Sequence, residues 1–222
     1  MIQEFKNEIL DTYENTMKKY GDFEIPVPTY YMGRDMDFSI LVSLLLRSKL
    51  KKQGSYRYIN YSYIDKDAIC NECKISKKTL YRKLKYLEEI NILTPKNTEN
   101  GLIYIINYCK DGKHYVTIHH RILMRLIRDT NKYAIKLYIL LKMQCDIFNN
   151  NPMSNAYLCK QLGYSTSSKR NLEKVGSMAN LLVKHGFIEK TQNRIHCKDK
   201  DGKMVKVRVD TYYRLNGIEN FK

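Results

Sequence analysis

Two pairs of residues in this chain have types and a spacing that metal or redox chemistry uses. Cys70 and Cys73 are separated by two residues, and His119 is followed directly by His120. A structural zinc site needs four ligands, usually from two such cysteine pairs, and the other four cysteines stand singly. A nicking enzyme uses two histidines separated by one apolar residue, and adjacent histidines cannot easily face one metal. We therefore expect the cysteines to pack in the core, and we expect no metal and no cofactor.

Nucleotide chemistry has no recognisable motif here. The chain lacks both the G-x-x-x-x-G-K-[ST] and the G-x-G-x-x-G phosphate loops. Four tyrosines, Tyr56, Tyr58, Tyr61 and Tyr63, could stack on exposed bases. Half-buried packing with a solvated hydroxyl is the commoner role of such residues, and we favour it. The sequence therefore predicts a protein that is not an enzyme.

The charge of the chain points to a polyanionic partner. The 222 residues include 39 Lys and Arg against 23 Asp and Glu, which gives a formal net charge of +16 at pH 7. Residues 1–36 carry a net −3, residues 37–110 carry +7 and residues 111–222 carry +12. Two successive basic segments favour nucleic acid as the partner. The plain alternative is a lysine-rich solvated surface that reflects composition alone.

The same composition disfavours several classes of protein. No stretch approaches the ~18–20 apolar residues that a membrane-spanning helix needs. Charged residues interrupt the apolar ones within residues 1–10, which disfavours a secretory signal. Hydrophobic residues make up 43% of the chain, which is enough for a folded core. We expect a cytoplasmic protein with reduced cysteines and no membrane partner.

Hydrophobic spacing, caps and turn residues predict the order of elements. Residues 1–20 are expected to form an acidic amphipathic helix that docks on its own chain, self-associates or binds another protein. Further helices are expected at 37–52, 65–73, 77–90, 130–148 and 154–162, and one that starts at 167 or 168 and ends near 185. Extended segments are expected at 25–28 and 114–118, and a short strand or extended entry at 56–64. Hairpins are expected at 92–108 and 187–209, with turns near 97–101 and 199–202.

An internal repeat relates the two halves of the chain. Cys70 aligns with Cys159, and the turn at 74–76 aligns with the turn at 163–165. Each turn is followed by a helix and then by a hairpin, so the pattern indicates two copies of one supersecondary unit. The second copy is about six residues longer, and its residues 165–168 depart from the first.

The helix after each turn has an apolar face and a basic face. In the first copy the apolar face consists of Leu80, Leu84 and Leu87. The expected core residues of the second copy are Leu172, Val175, Ala179, Leu182 and Val183. Leu181 falls on the outer face and Gly176 weakens the helix middle, and neither fits the pattern. Positive charge collects in the N-terminal half of each helix, where the phosphates of a duplex would lie.

Residues 69–93 resemble a winged-helix signature, in which a helix, a tight turn and a second helix lead into a hairpin. Residues 115–118 and 131–142 resemble the entry strand and first helix of plasmid and phage replication initiators, and residues 27–50 resemble a fainter copy. The resemblance covers most of residues 26–215. It implies a mainly α fold with short β-hairpin wings: two winged helix-turn-helix domains in tandem, at 26–112 and 113–222, after a leader at 1–25.

We therefore predict a sequence-specific double-stranded DNA-binding protein, a plasmid or phage replication initiator or organiser. The alternatives are a transcriptional repressor of the same architecture, a protein-interaction module that does not bind DNA, and a nicking enzyme. The predicted DNA contacts of the first copy are Lys77, Lys78, Thr79, Tyr81, Arg82 and Lys85, with Lys96 and Asn97 on its hairpin. Those of the second copy are Ser167, Ser168, Lys169, Arg170 and Lys174, with Arg194, Lys198, Lys200, Lys203, Lys206 and Arg208 on its hairpin.

Overall fold

The structure is a computed structural model that describes residues 23–30, 32–33, 36–50, 56–99, 101–107, 114–147, 152–198 and 200–221. The helix predicted at 1–20, with the partner role predicted for it, lies outside these residues. Within the described part of the chain, no helix is long and apolar enough to cross a membrane.

Polar caps fix where the helices of the first half begin. Asp37, Asp65 and Ser76 each accept a hydrogen bond from a backbone N–H in the following turn, as N-cap residues do. The elements are β1 Glu24–Pro28, α1 Phe38–Arg47, β2 Lys49–Leu50, β3 Arg57–Asn60, a 3-10 turn Tyr61–Tyr63, α2 Lys66–Cys73, α3 Lys77–Glu89, β4 Leu93–Thr98 and β5 Gly101–Ile106.

The second half contains a helix that the sequence reasoning missed. Its elements are β6 Tyr115–His119, α4 His120–Asp129, α5 Lys132–Ile147, α6 Asn155–Gln161, α7 Lys169–Lys184, β7 Ile188–Lys198, β8 Met204–Leu215 and a 3-10 turn Ile218–Phe221. Helix α4 is absent from the predicted order, although Ile122, Leu123, Leu126 and Ile127 recur at helical spacing and are buried. It separates β6 from the predicted helix that is now α5.

The strands form three antiparallel sheets. Strand β1 pairs with β6, from Glu24 opposite His119 to Pro28 opposite Tyr115. A four-stranded sheet has the order β2-β3-β5-β4, so β5 is paired on both edges. Strands β7 and β8 form a separate hairpin of 11 and 12 residues. The first predicted hairpin is therefore part of a larger sheet, whereas the second stands alone.

The fold is mixed α and β, and the prediction of a mainly α fold made of two tandem winged-helix domains is wrong. The pairing of the strands is the finding that overturns it. The segments predicted as extended at 25–28 and 114–118, and the one predicted as a short strand or extended entry at 56–64, supply strands to two sheets. A sequence pattern identifies a strand locally, but its partner is chosen by tertiary packing.

Helix α1 lies at the centre of the hydrophobic core. Every residue from Phe38 to Leu46 is buried, and the helix packs against α2, α4, α5 and β1. The buried apolar residues of both halves form one cluster. The predicted domain boundaries at 25/26 and 112/113 stay a prediction, and the β1–β6 pairing and the core both extend across the second of them.

Candidate nucleic-acid interface

Two stretches of the chain repeat the order helix, turn, helix, hairpin. We call α2, α3, β4 and β5 the first unit (66–106) and α6, α7, β7 and β8 the second unit (155–215). The first helix of each unit has a polar N-cap, Asp65 in α2 and Ser154 in α6. Cys70 and Cys159 are buried at equivalent positions, as predicted. The local order of the repeat is therefore present within the mixed α/β fold.

Helix α3 begins at a serine cap and presents cations on its exposed face. Ser76 Oγ accepts a hydrogen bond from the N–H of Thr79 at 3.2 Å, which satisfies one of the free donors of the first turn. Leu80, Leu84 and Leu87 are buried, as their spacing predicts. Between them, Tyr81, Arg82 and Lys85 consequently face solvent, whereas Lys83 and Tyr86 are half-buried.

The structure places the predicted α3 contacts on that exposed face. Lys77, Lys78, Tyr81, Arg82 and Lys85 are exposed, and Thr79 is half-buried next to the cap. Lys77 Nζ lies 2.8 Å from the Asp67 carboxylate, and this hydrogen bond raises the pKa of the Lys77 ammonium. Since Asp67 partly neutralises Lys77, the other cations of α3 dominate the field in front of the helix.

Helix α7 also begins at a serine cap, behind an ordered turn. Ser168 Oγ accepts a hydrogen bond from the N–H of Asn171 at 3.4 Å. The extra residues of this copy are held in place, because Asn171 Nδ2 donates to the Ser165 carbonyl at 3.0 Å and the hydroxyls of Ser165 and Ser167 lie 2.8 Å apart. Ser168 is therefore a capping residue, and it is half-buried.

The cations of α7 divide into outward and inward ones. Lys169 and Arg170 are exposed together with Ser167, and Lys169 Nζ lies 3.8 Å from Glu173. Lys174 is half-buried, and its Nζ lies 3.6 Å from the ring centre of Tyr133 and 4.9 Å from that of Tyr164. The outer surface of α7 therefore has fewer cations than the sequence pattern suggests.

The buried face of α7 corrects two details of the predicted core. Val175, Ala179 and Leu182 are buried together with Met178, and Leu172 is partly buried. Val183 is 40% exposed, so its predicted core position is wrong. Leu181 packs partly against the core instead, because the buried face is rotated slightly from the one that ideal helical spacing predicts.

The two hairpins differ in how they carry their predicted contacts. Lys96 and Asn97 are exposed on β4, at the edge of the four-stranded sheet. Exposed positions of the second hairpin are Arg194, Lys198, Lys200 and Lys203. Lys206 and Arg208 lie on β8 opposite Cys197 and Ile195. The second hairpin therefore carries more basic positions than the first.

Among the described residues of the second hairpin, the buried ones lie near its base. Ile188, Asp210, Thr211 and Tyr213 are buried there, and the N–H of Met153 donates to the Thr211 carbonyl at 2.8 Å. Residues 191–194 and 200–204 are exposed. The exposed basic positions Arg194, Lys200 and Lys203 are thus accessible to a charged partner.

The cysteine pair is buried or half-buried, and the histidine pair makes a local hydrogen bond and a stacking contact. Burial raises the pKa of Cys70, and it raises that of Cys73 to about 12, which disfavours the reactive thiolate. His119 Nδ1 accepts from the N–H of Arg121 at the start of α4, and His120 stacks on Phe23 with ring centres 4.5 Å apart. Among the described residues, no three His, Cys, Asp or Glu side chains gather where a metal could sit.

Tyr61, one of the four tyrosines near β3, makes a packing contact. The rings of Tyr61 and Tyr104 meet edge to face with centres 5.7 Å apart, and Lys66 Nζ lies 4.5 Å from the Tyr61 ring centre. Tyr61 packs against the core cluster. It therefore follows the packing interpretation.

Sequence reasoning missed three lysines, Lys83, Lys132 and Lys136, that line one cavity together with Lys174. A usable signal existed for one of them, since Lys136 interrupts the apolar run at 134–141. Because Lys83 is on α3 and Lys174 on α7, the cavity borders both units.

The arrangement as a whole can present cations to a polyanion from two capped helices and an extended hairpin. Comparison with known proteins finds no matching family model, no similar curated protein and no similar solved structure.

Proposed function

We propose that the protein binds double-stranded DNA through α3, α7 and the β7–β8 hairpin. The observation that carries this proposal is that α3 and α7 have the same design. Each begins at a serine cap, buries an apolar face and exposes Lys or Arg in its first turns. The major groove admits one α-helix, and the N-terminal residues of such a helix reach the base edges.

In this proposal some of the exposed cations contact the DNA bases and others contact the phosphate backbone of the DNA. Arg82 is on the second turn of α3, and a guanidinium in the major groove can donate to two acceptors of one guanine. Lys78 and Lys85 flank it and suit phosphate contacts. The exposed lysines of the second hairpin add affinity that falls as salt rises, because each phosphate contact releases counterions. In this proposal α3 is the main reader and α7 the lesser one.

The finer proposal concerns the target and the place of action. The resemblance to plasmid and phage replication initiators favours an origin with directly repeated sites, bound in the cytoplasm. A palindromic site at a promoter would favour the repressor role instead, since the symmetry of an operator mirrors that of its protein. Selection of bound fragments from random duplexes at moderate salt distinguishes the two, because it gives site length, symmetry and repeat spacing together.

The sequence-reading role of α3 is tested with Arg82→Ala. We expect the selected consensus to relax at one position and affinity for the preferred site to fall by about 1–3 kcal/mol. The matched control is Arg128→Ala, which removes the same charge at the end of α4, outside both units. Equal consensus sequences for Arg82→Ala and wild type would remove α3 from base recognition. If no duplex binds at ~150 mM salt, the proposal of DNA binding fails.

The backbone-binding role of the second hairpin is tested with Lys200→Ala. We expect affinity to fall equally for preferred and random duplexes, and the slope of log K against log salt to become shallower by about 0.9. Fluorescence anisotropy over a series of salt concentrations measures both quantities. An unchanged slope would show that Lys200 contacts no phosphate.

A further inference from the structure

The second hairpin combines positive charge with exposed apolar side chains. Residues 194–209 contain six Lys or Arg and two Asp, a formal net charge of +4 that already counts both carboxylates. Among the described residues, three large apolar side chains other than tyrosine are exposed: Met204 at 55%, Val209 at 45% and Val183 at 40%. Met204 and Val209 both belong to this hairpin. Single exposed apolar side chains are common on protein surfaces, so the placement of these two decides what they indicate.

An irregular pairing brings Met204 and Val209 to the same face of the hairpin. Successive side chains of a strand alternate between its faces, so two residues five apart ordinarily lie on opposite faces. Here the register shifts by one residue between them, which leaves Met204 opposite Lys198 and Val209 opposite Arg194. Cross-strand partners share a face, and so do Lys198 and Arg194, which are four residues apart. The contact of His196 agrees with this placement, since its Nδ1 lies 3.0 Å from Met204 Sδ.

The same face packs on the core near the base of the hairpin and is exposed further out. Thr211 and Tyr213 follow Val209 on this face at steps of two residues, and both are buried. Beyond them the described positions of the face are exposed, and we call them the outer face: Arg194, His196, Lys198, Met204 and Val209. Because cations and apolar groups are interleaved there, the partner that fits this face offers negative charge and apolar surface together.

Duplex DNA meets both requirements. Its minor groove has a negative potential that attracts Lys and Arg, and a two-stranded β-ribbon is one of the elements that enter DNA grooves. Proteins that bind the minor groove insert Met, Leu, Phe, Ile or Pro between base steps and thereby kink the duplex. A second copy of the chain fits the outer face less well, because it would bring one hairpin of charge +4 against another.

We propose that the second hairpin inserts Met204 between two base pairs from the minor groove and so bends the duplex. The inference rests on the proposed function and adds to it a bending activity and a preferred kind of base step. Helix α7 and β7 are separated only by residues 185–187, so the hairpin reaches the groove next to the one in front of α7. Pyrimidine–purine steps such as TA are the most easily unstacked, and we expect one at the insertion point.

The experiment measures the bend by energy transfer between dyes at the two ends of the selected duplex. Fluorescence of 2-aminopurine at its pyrimidine–purine step measures unstacking. Met204→Gln keeps the length of the side chain and makes its end polar, whereas Met204→Leu keeps an apolar wedge. The control Val183→Ala shortens the exposed apolar side chain on α7, outside the hairpin. Because both positions are exposed, all three variants should unfold at the temperature of wild type, which thermal unfolding checks.

We expect wild type, Met204→Leu and Val183→Ala to bend the duplex by similar angles and to raise the 2-aminopurine fluorescence. Met204→Gln should bend it by at least about 20° less, the lower end of the kinks that inserted side chains produce. A nick at the step removes the stacking that insertion must break, which amounts to a few kcal/mol. Wild type should therefore bind the nicked duplex at least about tenfold more tightly than the intact one, and Met204→Gln should bind both alike.

The possible failures are distinguishable. Equal bends for wild type and Met204→Gln, with duplex binding intact, would overturn the insertion of Met204 and leave the proposed function standing. If wild type binds no duplex at ~150 mM salt, both proposals fail. Vesicles of equal parts phosphatidylserine and phosphatidylcholine supply a competing anionic and apolar surface. Vesicle binding that Met204→Gln loses, without any effect on the bend, would assign the outer face to a membrane instead.

Discussion

The first and second units share an order of elements but are stabilised in different ways. The difference begins at the turn between the helices, where Lys74 ends α2 in the left-handed conformation with φ 54° and Gly163 follows α6 with φ +78°. Lys74 is exposed. A Cβ built on Gly163 would lie 2.9 Å from the carbonyl carbon of Gly33 and closer still to its oxygen. The second turn is therefore packed against backbone, whereas the first is open.

The units also differ in how each is joined to the helix that precedes it, α1 for the first unit and α5 for the second. In the first, Arg47 of α1 donates to Glu72 of α2 at 3.0 Å, and Ser43 donates to the same carboxylate at 2.7 Å. In the second, the hydroxyl of Tyr157 on α6 donates to Gln144 of α5 at 2.7 Å. The first connection is a partly buried ion pair and the second a neutral hydrogen bond.

A third difference lies in the hairpins. Tyr104 of β5 donates its hydroxyl to Glu88 of α3 at 2.6 Å, which ties the four-stranded sheet to the helix. Tyr213 of β8 is equally buried, but its hydroxyl has no hydrogen-bond partner among the described residues. These differences indicate that an ion pair and a hydrogen bond to a carboxylate hold the first unit, whereas the uncharged Tyr157–Gln144 hydrogen bond and close packing at its base hold the second.

Breaking the ion pair should have the largest effect on stability. We expect Glu72→Ala to lower the free energy of unfolding by about 2–5 kcal/mol, because it leaves the largely buried Arg47 guanidinium without its carboxylate. Tyr157→Phe, the matched change in the second unit, should cost about 0.5–1.5 kcal/mol. Urea denaturation of both variants measures the difference. Similar losses would mean that the two connections are energetically equivalent.

Substitutions in the turn between the two helices of each unit are expected to have the next largest effect on stability. Gly163→Ala should destabilise the protein by about 2–5 kcal/mol, because it adds left-handed strain to a clash with backbone that cannot move aside. The opposite change, Lys74→Gly, should alter stability by less than about 1 kcal/mol, since relief of strain is balanced by a more flexible unfolded chain. Thermal and urea unfolding check both values. A Gly163→Ala variant as stable as wild type would show that the two turns are interchangeable.

The buried tyrosines should give the smallest effects, and effects of opposite sign. Tyr104→Phe should cost about 1–2 kcal/mol through the lost bond to Glu88, whereas Tyr213→Phe should be neutral or stabilise by up to about 1 kcal/mol. Burial raises the pKa of Tyr213 to about 12. Below the usual phenol pKa of ~10, Tyr213 is neutral in the folded and the unfolded chain, and its ionisation does not lower the free energy of unfolding. As pH rises from ~10 through about 12, the unfolded chain ionises first and the free energy of unfolding falls.

The stability of Tyr213→Phe relative to wild type should consequently increase between pH 10 and pH ~12, when both are measured by denaturant unfolding. Parallel stability curves for the two proteins over this range would show that Tyr213 ionises as readily in the folded chain as in the unfolded one.

Features encoded by neighbouring residues could be predicted from the sequence. Ser76 as an N-cap, the leucine face of α3 and the buried cysteines of the repeat all follow from local spacing. The partners of β1 and β3 could not be predicted in this way, because residues far apart in the chain supply them. The same limit applies to the cavity, since Lys83 and Lys174 come together only when α3 and α7 pack near α5.

Strand β1 bears on how this chain folds during synthesis. Pro26 and Pro28 lack the N–H that strand pairing uses, while Ile25 and Val27 are fully buried in the finished fold. Their partner, β6, emerges from the ribosome only after the entire four-stranded sheet has been made. Until then Ile25 and Val27 lack the partner strand that helps to cover them. The unfinished N-terminal half therefore exposes apolar surface that can aggregate or bind chaperones.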